Sequence, residues 1–300
     1  ADGSGEKYFG GSVSVKGDVV LLSAFNEKGG NAYDQVVHAF GRNVGGTDNW
    51  GPAWETSLSA EYGRFTNFGG RVVAAGDFMA VGVPDHQVGA NGRQGAAFVF
   101  QIPRPDWQQK ARLTASDGME NACFGRSVAV DGDVVIVSAN GQGFGTNVNQ
   151  GAAYVFERNA GGINAWGEVR ELTGSDAGKN DFVGQSVSVA GDVVIVGACH
   201  WGVTKHQPGA AYVFQRNAGG TNTWGEVRKL NASDGAPDDW FGLSVEVRGD
   251  IAAVGAPVDI YSDTNKNQGS AYVFERNAGE VLHNSNSRRD SSSMVSSRPP

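Results

Sequence analysis

Short alternations of apolar and polar residues recur along the chain, each closed by a turn. Ser127-Val128-Ala129-Val130 and Ser186-Val187-Ser188-Val189 place an apolar residue at every second position, the period of a strand with one buried face. A Gly-Asp pair follows each time, at Gly17-Asp18, Gly76-Asp77, Gly132-Asp133, Gly191-Asp192 and Gly249-Asp250. A more apolar run comes next, as in Val134-Val135-Ile136-Val137, and it ends in small residues such as Ser138-Ala139 or Gly255-Ala256-Pro257. After a variable loop the chain reads Ala-aromatic-Val-Phe, at 97–100, 153–156, 211–214 and 271–274, with Val37-His38-Ala39-Phe40 as the first copy. A polar loop then leads to a Trp and a charged strand, Trp166 to Leu172 or Trp224 to Leu230. The second copy shortens that loop to Pro103-Arg104-Pro105-Asp106. No segment carries helical periodicity. The pattern predicts antiparallel β-structure with four strands, A to D, in each copy.

The copies keep a long, regular period. Phe-Gly opens them at Phe9-Gly10, Phe68-Gly69, Phe124-Gly125 and Phe241-Gly242, with Phe182-Val183-Gly184 as a looser version, so the Phe spacings are 59, 56, 58 and 59. Four-stranded units at this spacing predict an all-β fold, a β-propeller of five four-stranded antiparallel blades with repeats of about 58 residues. The repeats start near 9, 68, 124, 182 and 241, and the propeller spans 1–282. Small residues in strand A suit an innermost strand, where blades crowd. Paired charges in strand D, Arg170-Glu171 and Arg228-Lys229, suit a solvent-facing edge. Gly279-Glu280-Val281-Leu282 resembles Gly225-Glu226-Val227-Arg228 with the Trp loop deleted, which leaves open whether the last blade is complete. Residues 283–300, rich in Ser, Arg and Asn, read as a disordered tail. No strand is exchanged between the termini in this phase. Either five blades close by packing alone, or they form part of a larger ring or assembly.

Phe-Gly followed some fifteen residues later by Gly-Ala-Pro resembles the FG-GAP repeat of integrin-α-type propellers, over residues 1–280. The resemblance implies the propeller fold. It implies little about activity, because that family spans adhesion receptors, secreted binding modules and domains attached to enzymes. Integrin-like repeats often hold calcium in an Asp-x-Asp-x-Asp-Gly loop between strands A and B. Here that connection is a two-residue turn, too short to supply the 6–8 oxygens calcium takes, so those sites are not carried over. Five repeats also depart from the seven blades of integrin-type propellers.

Composition narrows the function. The chain has 24 Lys+Arg against 32 Asp+Glu, a net charge of -8, so it has no basic excess for nucleic acid or anionic membranes. No apolar run approaches the roughly 20 residues of a membrane helix. The N-terminus shows no basic and apolar leader, so any signal peptide is expected to have been removed. Cys123 and Cys199 allow one disulfide or two small buried residues. Asn231-Ala232-Ser233 is a glycosylation sequon, meaningful in a secretory eukaryote. No triad, HExxH or phosphate-cradling motif is present, and no enzyme activity, cofactor or metal is expected.

Strand order assigns the loops to two faces. The B–C loops (25–35, 84–94, 140–150, 199–208 and 257–268) share one face with the acidic D–A links, which carry Asp117, Glu120, Asp176, Asp181, Asp234, Asp238 and Asp239. The uniform A–B turns and the C–D loops share the other, which reads as structural. Variable loops on a rigid scaffold are where binding residues concentrate, and the resemblance to integrin-type propellers implies the same face. Its candidate residues are His200, Trp201, Lys205 and His206 in the fourth loop, and Asp259, Tyr261 and Asp263 in the fifth. Trp201 between two His can stack on a sugar or a partner side chain; packing beneath its own loop is the competing reading. Asp263-x-Asn265-x-Asn267 has the beginning of a calcium loop, but Gly269 comes late and no downstream acid follows, so polar turn chemistry is preferred. Arg248-Gly249-Asp250 reads as one variant of the A–B hairpin and not as an adhesion tripeptide.

The expectation is a non-enzymatic extracellular or cell-surface module that binds a protein or glycan through the loop face. The alternative is a structural subunit of an extracellular assembly, with self-association. A polysaccharide-acting enzyme is the least supported reading.

Overall fold

The computed structural model describes residues 6–7, 9–27, 33–57, 71–102, 107–199, 207–258, 269–276 and 283–290. Every regular element among them is a strand. Two compact units are resolved, one of Ala1–Gln142 with Tyr154–Glu171, the other of Gly143–Ala153 with Leu172–Pro300.

Five antiparallel sheets follow the repeats. The first contains β1 (Glu6–Lys7), β2 (Val13–Lys16), β3 (Val19–Glu27), β4 (Tyr33–Arg42) and β5 (Trp50–Ser57). Its β1 and β2 both pair with β3, so they are two pieces of one strand A. The second sheet contains β6 (Arg71–Ala75), β7 (Phe78–Val83), β8 (Ala96–Gln101) and β9 (Gln108–Leu113). The third has β10 (Phe124–Asp131), β11 (Val134–Ala139), β12 (Ala152–Arg158) and β13 (Trp166–Leu172). The fourth has β14 (Val183–Ala190), β15 (Val193–Ala198), β16 (Ala210–Arg216) and β17 (Trp224–Leu230). The fifth has β18 (Ser244–Arg248), β19 (Ile251–Ala256), β20 (Ser270–Glu275) and β21 (His283–Asp290). Apart from β1 and β2, strands adjacent in sequence are adjacent in each sheet.

Turn chemistry places the strands. In every Gly-Asp hairpin the Gly takes positive φ, from 53° at Gly17 to 58° at Gly249, as Gly at the first position of a two-residue loop allows. The Asp carbonyl then accepts the N–H of the residue closing strand C, as in Arg158 to Asp133 at 3.0 Å and Arg276 to Asp250 at 2.8 Å. Asp250 also pairs through its carboxylate with Arg276 Nε at 2.9 Å, so the Gly249-Asp250 turn is built into its blade.

Two details differ from the sequence reading. Val183, not Phe182, stands at the Phe-Gly position: Val183 pairs with Ala198 as Phe124 pairs with Ala139. Phe124, Val183 and Phe241 are all fully buried. Their predecessors Cys123, Phe182 and Trp240 share positive φ of 57°, 52° and 58°. The fourth repeat therefore keeps the common backbone with its aromatic displaced by one residue, and starts at 183. Second, residues 283–290, read as part of the tail, pair as β21 with β20. That strand lacks the Trp and Leu that bracket β13 and β17, so hydrophobic pattern could not reveal it.

The glycines of the repeat motif mark close contact between blades. In the first unit a Cβ on Gly125 would lie 2.5 Å from the Ala96 carbonyl oxygen and 2.6 Å from the Val83 nitrogen, and φ there is +97°. Gly242 makes the same approach to Ala198 and Ala210 in the second unit. Side-chain hydroxyls join the A strands of consecutive blades. Ser12 and Ser14 Oγ accept Val72 and Ala74 N–H, and Ser188 Oγ accepts Val247 N–H, each at 3.0 Å.

Candidate functional site

The seven residues singled out from sequence, His200, Trp201, Lys205, His206, Asp259, Tyr261 and Asp263, all lie outside the described residues. The flanks of their loops are placed. Cys199 is buried. Gln207 and Pro208 carbonyls accept Asp238 and Phe241 N–H at 3.2 and 2.8 Å, and Val258 N–H reaches the Asp239 carbonyl at 3.3 Å.

The same stitching holds the described B–C loops. In the first unit Asn121, Cys123 and Phe124 N–H donate to the carbonyls of Gly92, Arg93 and Gln94, at 2.8–3.0 Å. In the second, Asn180, Phe182 and Val183 N–H donate to Val148, Asn149 and Gln150, at 2.9–3.1 Å. Alternating left-handed residues, Asn121 with Cys123 and Asn180 with Phe182, turn these amides toward the loop. Inside each loop an Asn amide holds a buried Gln: Asn91 to Gln94 and Asn147 to Gln150, both 2.9 Å. Each loop is thus a braced projection on a short parallel bridge, Gly95 to Phe124 or Gly151 to Val183.

The acidic links have a defined role that spacing alone did not reveal. Tyr154, Tyr212 and Tyr272 donate their hydroxyls to Asp117, Asp176 and Asp234, each at 2.8 Å. The preceding Ser binds strand D: Ser116 N–H and Oγ reach Glu168 at 2.9 Å, and Ser175 reaches Glu226 at 2.7 and 3.0 Å. The repeats carried a hint, because the first two blades place His38 and Phe98 where the others have Tyr. Asp181 and Asp239 are buried and accept Gly178 and Ala236 N–H at 2.7 and 2.6 Å, closing the link turns.

One site breaks the repeat. In the fourth blade Lys229 Nζ sits 2.6 Å from Asp176 and 5.3 Å over the Tyr212 ring. The Lys229 hydrogen bond draws the Asp176 pKa below the ordinary carboxylate range. The matching residue in the third blade is Glu171, an acid beside Asp117. Burial, then the Asp117 and Glu168 carboxylates, push Glu171 up to about 7, against relief from Arg170. Its Oε1 is buried and makes no hydrogen bond. Burial and the adjoining acids likewise raise the Tyr154 phenol. Glu171 is therefore half-buried and not the solvent-facing edge charge expected of strand D. Gln142 Nε2 completes the cluster, donating to Asp117 Oδ2 at 3.1 Å.

The other face is not featureless. A cavity of about 210 Å³ lies between Phe78, Gln101 and Lys110 of the second blade and Arg158, Asn164 and Trp166 of the third. Phe78 meets Trp166 edge-on at 5.3 Å, and Arg158 lies 5.3 Å over the Phe78 ring. Neither Cys123 nor Cys199 is in a disulfide, and burial raises the Cys123 thiol pKa. No cluster of three or more His, Cys, Asp or Glu suited to a metal occurs among the described residues.

None of the curated proteins matches the chain. Among solved structures it is similar to the β-propeller domain of the Trilobed protease from Pyrococcus furiosus, described as having an open velcro topology. That likeness is at 9% identity and a TM-score of 0.49, covering 93% of this chain and 71% of the other. The FG-GAP repeat family matches residues 107–156, 166–214 and 224–274. Each match runs from the Trp opening one blade's strand D to the Phe of the next blade's strand C, so it follows the stitched link and not the single sheet. Together the three matches span half of the sequence, and the chain belongs to the FG-GAP repeat family, its blades forming an all-β propeller.

Proposed function

We propose that the chain is a non-enzymatic binding module, extracellular or on the cell surface, that recognises a protein or glycan through the face of its B–C loops and D–A links. One observation carries this reading: the B–C loops 84–94 and 140–150 each accept, through three consecutive carbonyls, amide hydrogen bonds from the following link. Such bracing lowers the entropy lost when a loop engages a ligand, which is how a stiff scaffold supports recognition by variable tips. The family membership supports the extracellular assignment, since FG-GAP repeats are typical of extracellular proteins. The test is binding of the 300-residue chain to a glycan array and to immobilised matrix proteins, beside a His200→Ala/Trp201→Ala variant. Specific binding lost in a variant of unchanged thermal stability supports the proposal. Binding unaffected by that variant and by a second one at Asp259 and Tyr261, or no binding at all, overturns it.

A second reading, a subunit of an extracellular assembly, has its own support: Val13 and Val15 of the first blade are exposed where their counterparts are buried.

A further inference from the structure

In strand A of each blade, alternate residues face opposite neighbours. The apolar pair at Val72/Ala74, Val128/Val130, Val187/Val189 and Val245/Val247 is 3–9% exposed. In the first blade the same pair, Val13 and Val15, is 56% and 64% exposed. Phe9 stands open as well, whereas Phe124 and Phe241 are buried. A Cβ on Gly10 would meet nothing within 4 Å, although Gly125 and Gly242 press on backbone.

The fifth blade shows the converse. Ser244, Glu246 and Arg248 are exposed, while Val245 and Val247 on the opposite side of β18 are covered. Ser244 occupies the position of Ser12, whose Oγ accepts an N–H of the next blade's strand A at 3.0 Å. Glu246 occupies the position of Ser14 and Ser188, which do the same. Arg248 corresponds to Lys16, whose Nζ donates to the Gly76 carbonyl of the next hairpin. Gly255 corresponds to Gly82 and Gly197, which meet Gly125 and Gly242, yet the nearest described atoms to a Cβ on Gly255 are those of Ser244 in its own blade. Gly269, with φ +76°, matches Gly95 and Gly209, which bridge to Phe124 and Phe241.

We propose that the fifth blade of one copy docks on the first blade of a second copy, head to tail, reusing the contacts that join consecutive blades. Ser244 and Glu246 accept the N–H groups of Val13 and Val15, and Arg248 donates to the Gly17 carbonyl. The Gly255 surface receives Gly10, and Gly269 bridges to Phe9. The acceptors, the donor and the glycines sit at repeat-equivalent positions on the two surfaces, and the apolar Val13/Val15 face gains the cover that its counterparts have. The inference rests on the assembly reading and is independent of ligand recognition by the loop face.

The test uses sedimentation and native mass spectrometry of the 300-residue chain from about 1 to about 200 μM, because association of this kind is concentration-driven. Wild type should form dimers and longer species. A head variant, Val13→Asp/Val15→Asp, and a tail variant, Ser244→Tyr/Glu246→Tyr, should each weaken association at least about tenfold. All four positions are exposed, so circular dichroism should be unchanged; Val15→Lys serves as a milder head variant. Mixed in equal amounts, the head and tail variants should yield a dimer and nothing larger, because each keeps one intact surface. Trp201→Ala should associate as wild type does, which separates this outcome from any failure of loop-face binding. A monomeric mass for wild type at every concentration, or oligomers equally stable in both variants, overturns the proposal.

Discussion

Replacing Glu171 by Lys should stabilise the protein, and more so in mild alkali than in mild acid. The fourth blade shows the outcome, with Lys229 2.6 Å from Asp176 under the same Tyr–Asp hydrogen bond. In the third blade Glu171 faces Asp117 and Glu168, with Arg170 the compensating charge and Tyr154 already donating to Asp117. Because the folded state holds the Glu171 proton up to about 7, against an ordinary value of 4.5, it binds that proton more tightly than the unfolded chain. Stability must then fall as pH rises from 4.5 through about 7 and level off above. At about 1.4 kcal/mol per pH unit the ceiling is about 3 kcal/mol, and screening of a half-buried group reduces it to about 1 kcal/mol. A part-exposed Lys–Asp pair contributes about 0.5 kcal/mol more. Glu171→Lys should therefore gain about 1.5 kcal/mol at pH 8 and about 0.5 kcal/mol at pH 5. Glu171→Gln, which mimics the protonated acid, should gain about 1 kcal/mol at pH 8 and almost nothing at pH 5. Urea denaturation at the two pH values measures both. Equal gains at pH 5 and pH 8, or a Lys variant less stable than wild type at pH 8, refute the reasoning.

Three further outcomes follow from the same geometry. Gly125→Ala should cost more than 3 kcal/mol or abolish folding, since its Cβ would meet backbone and its φ is +97°, while Gly17→Ala, with open space around it, should cost only about 1 kcal/mol; thermal melts separate the two. Tyr272→Phe should lose about 1 kcal/mol with the hydrogen bond to Asp234, and Phe98→Tyr should bring no matching gain, because the second blade's link has Glu61-Tyr62 in place of Ser-Asp; denaturant titration reads both. Buried His86, its pKa lowered to about 4 by burial and by Arg112, contributes stability that is lost as pH falls from 6.5 through about 4; His86→Gln, the residue found at the matching Gln142, should flatten that acid limb in melts run across pH.

How much could be read in advance differs between elements. The A–B hairpins were legible because a Gly followed by Asp between two alternating strands is a local signal, and all five Gly residues take the expected positive φ. The position of the fourth repeat was harder. Phe182 drew the eye as the aromatic, but the backbone places Val183 in the buried site and Phe182 in the left-handed one. His283–Asp290 has no apolar alternation, so β21 is legible only from its pairing with β20. The Tyr–Asp bonds were within reach of a comparison among repeats, since Tyr occurs in the three blades whose links carry Ser-Asp.

The amino-acid sequence alone determined the strands, their hairpins and the repeat, because periodicity, glycine conformation and burial of alternate side chains act over a few residues. Only the tertiary structure decided which charges meet. Asp117 and Glu171 are separated by a whole blade of sequence, as are Asp176 and Lys229, and their near-identical surroundings in sequence give one cluster of like charge and one ion pair. The same holds for Val13 and Val15, which match their counterparts in sequence and yet are exposed where those are buried. Burial and electrostatic sign belong to the neighbour across space, and a repeat specifies that neighbour only where another blade is present to supply it.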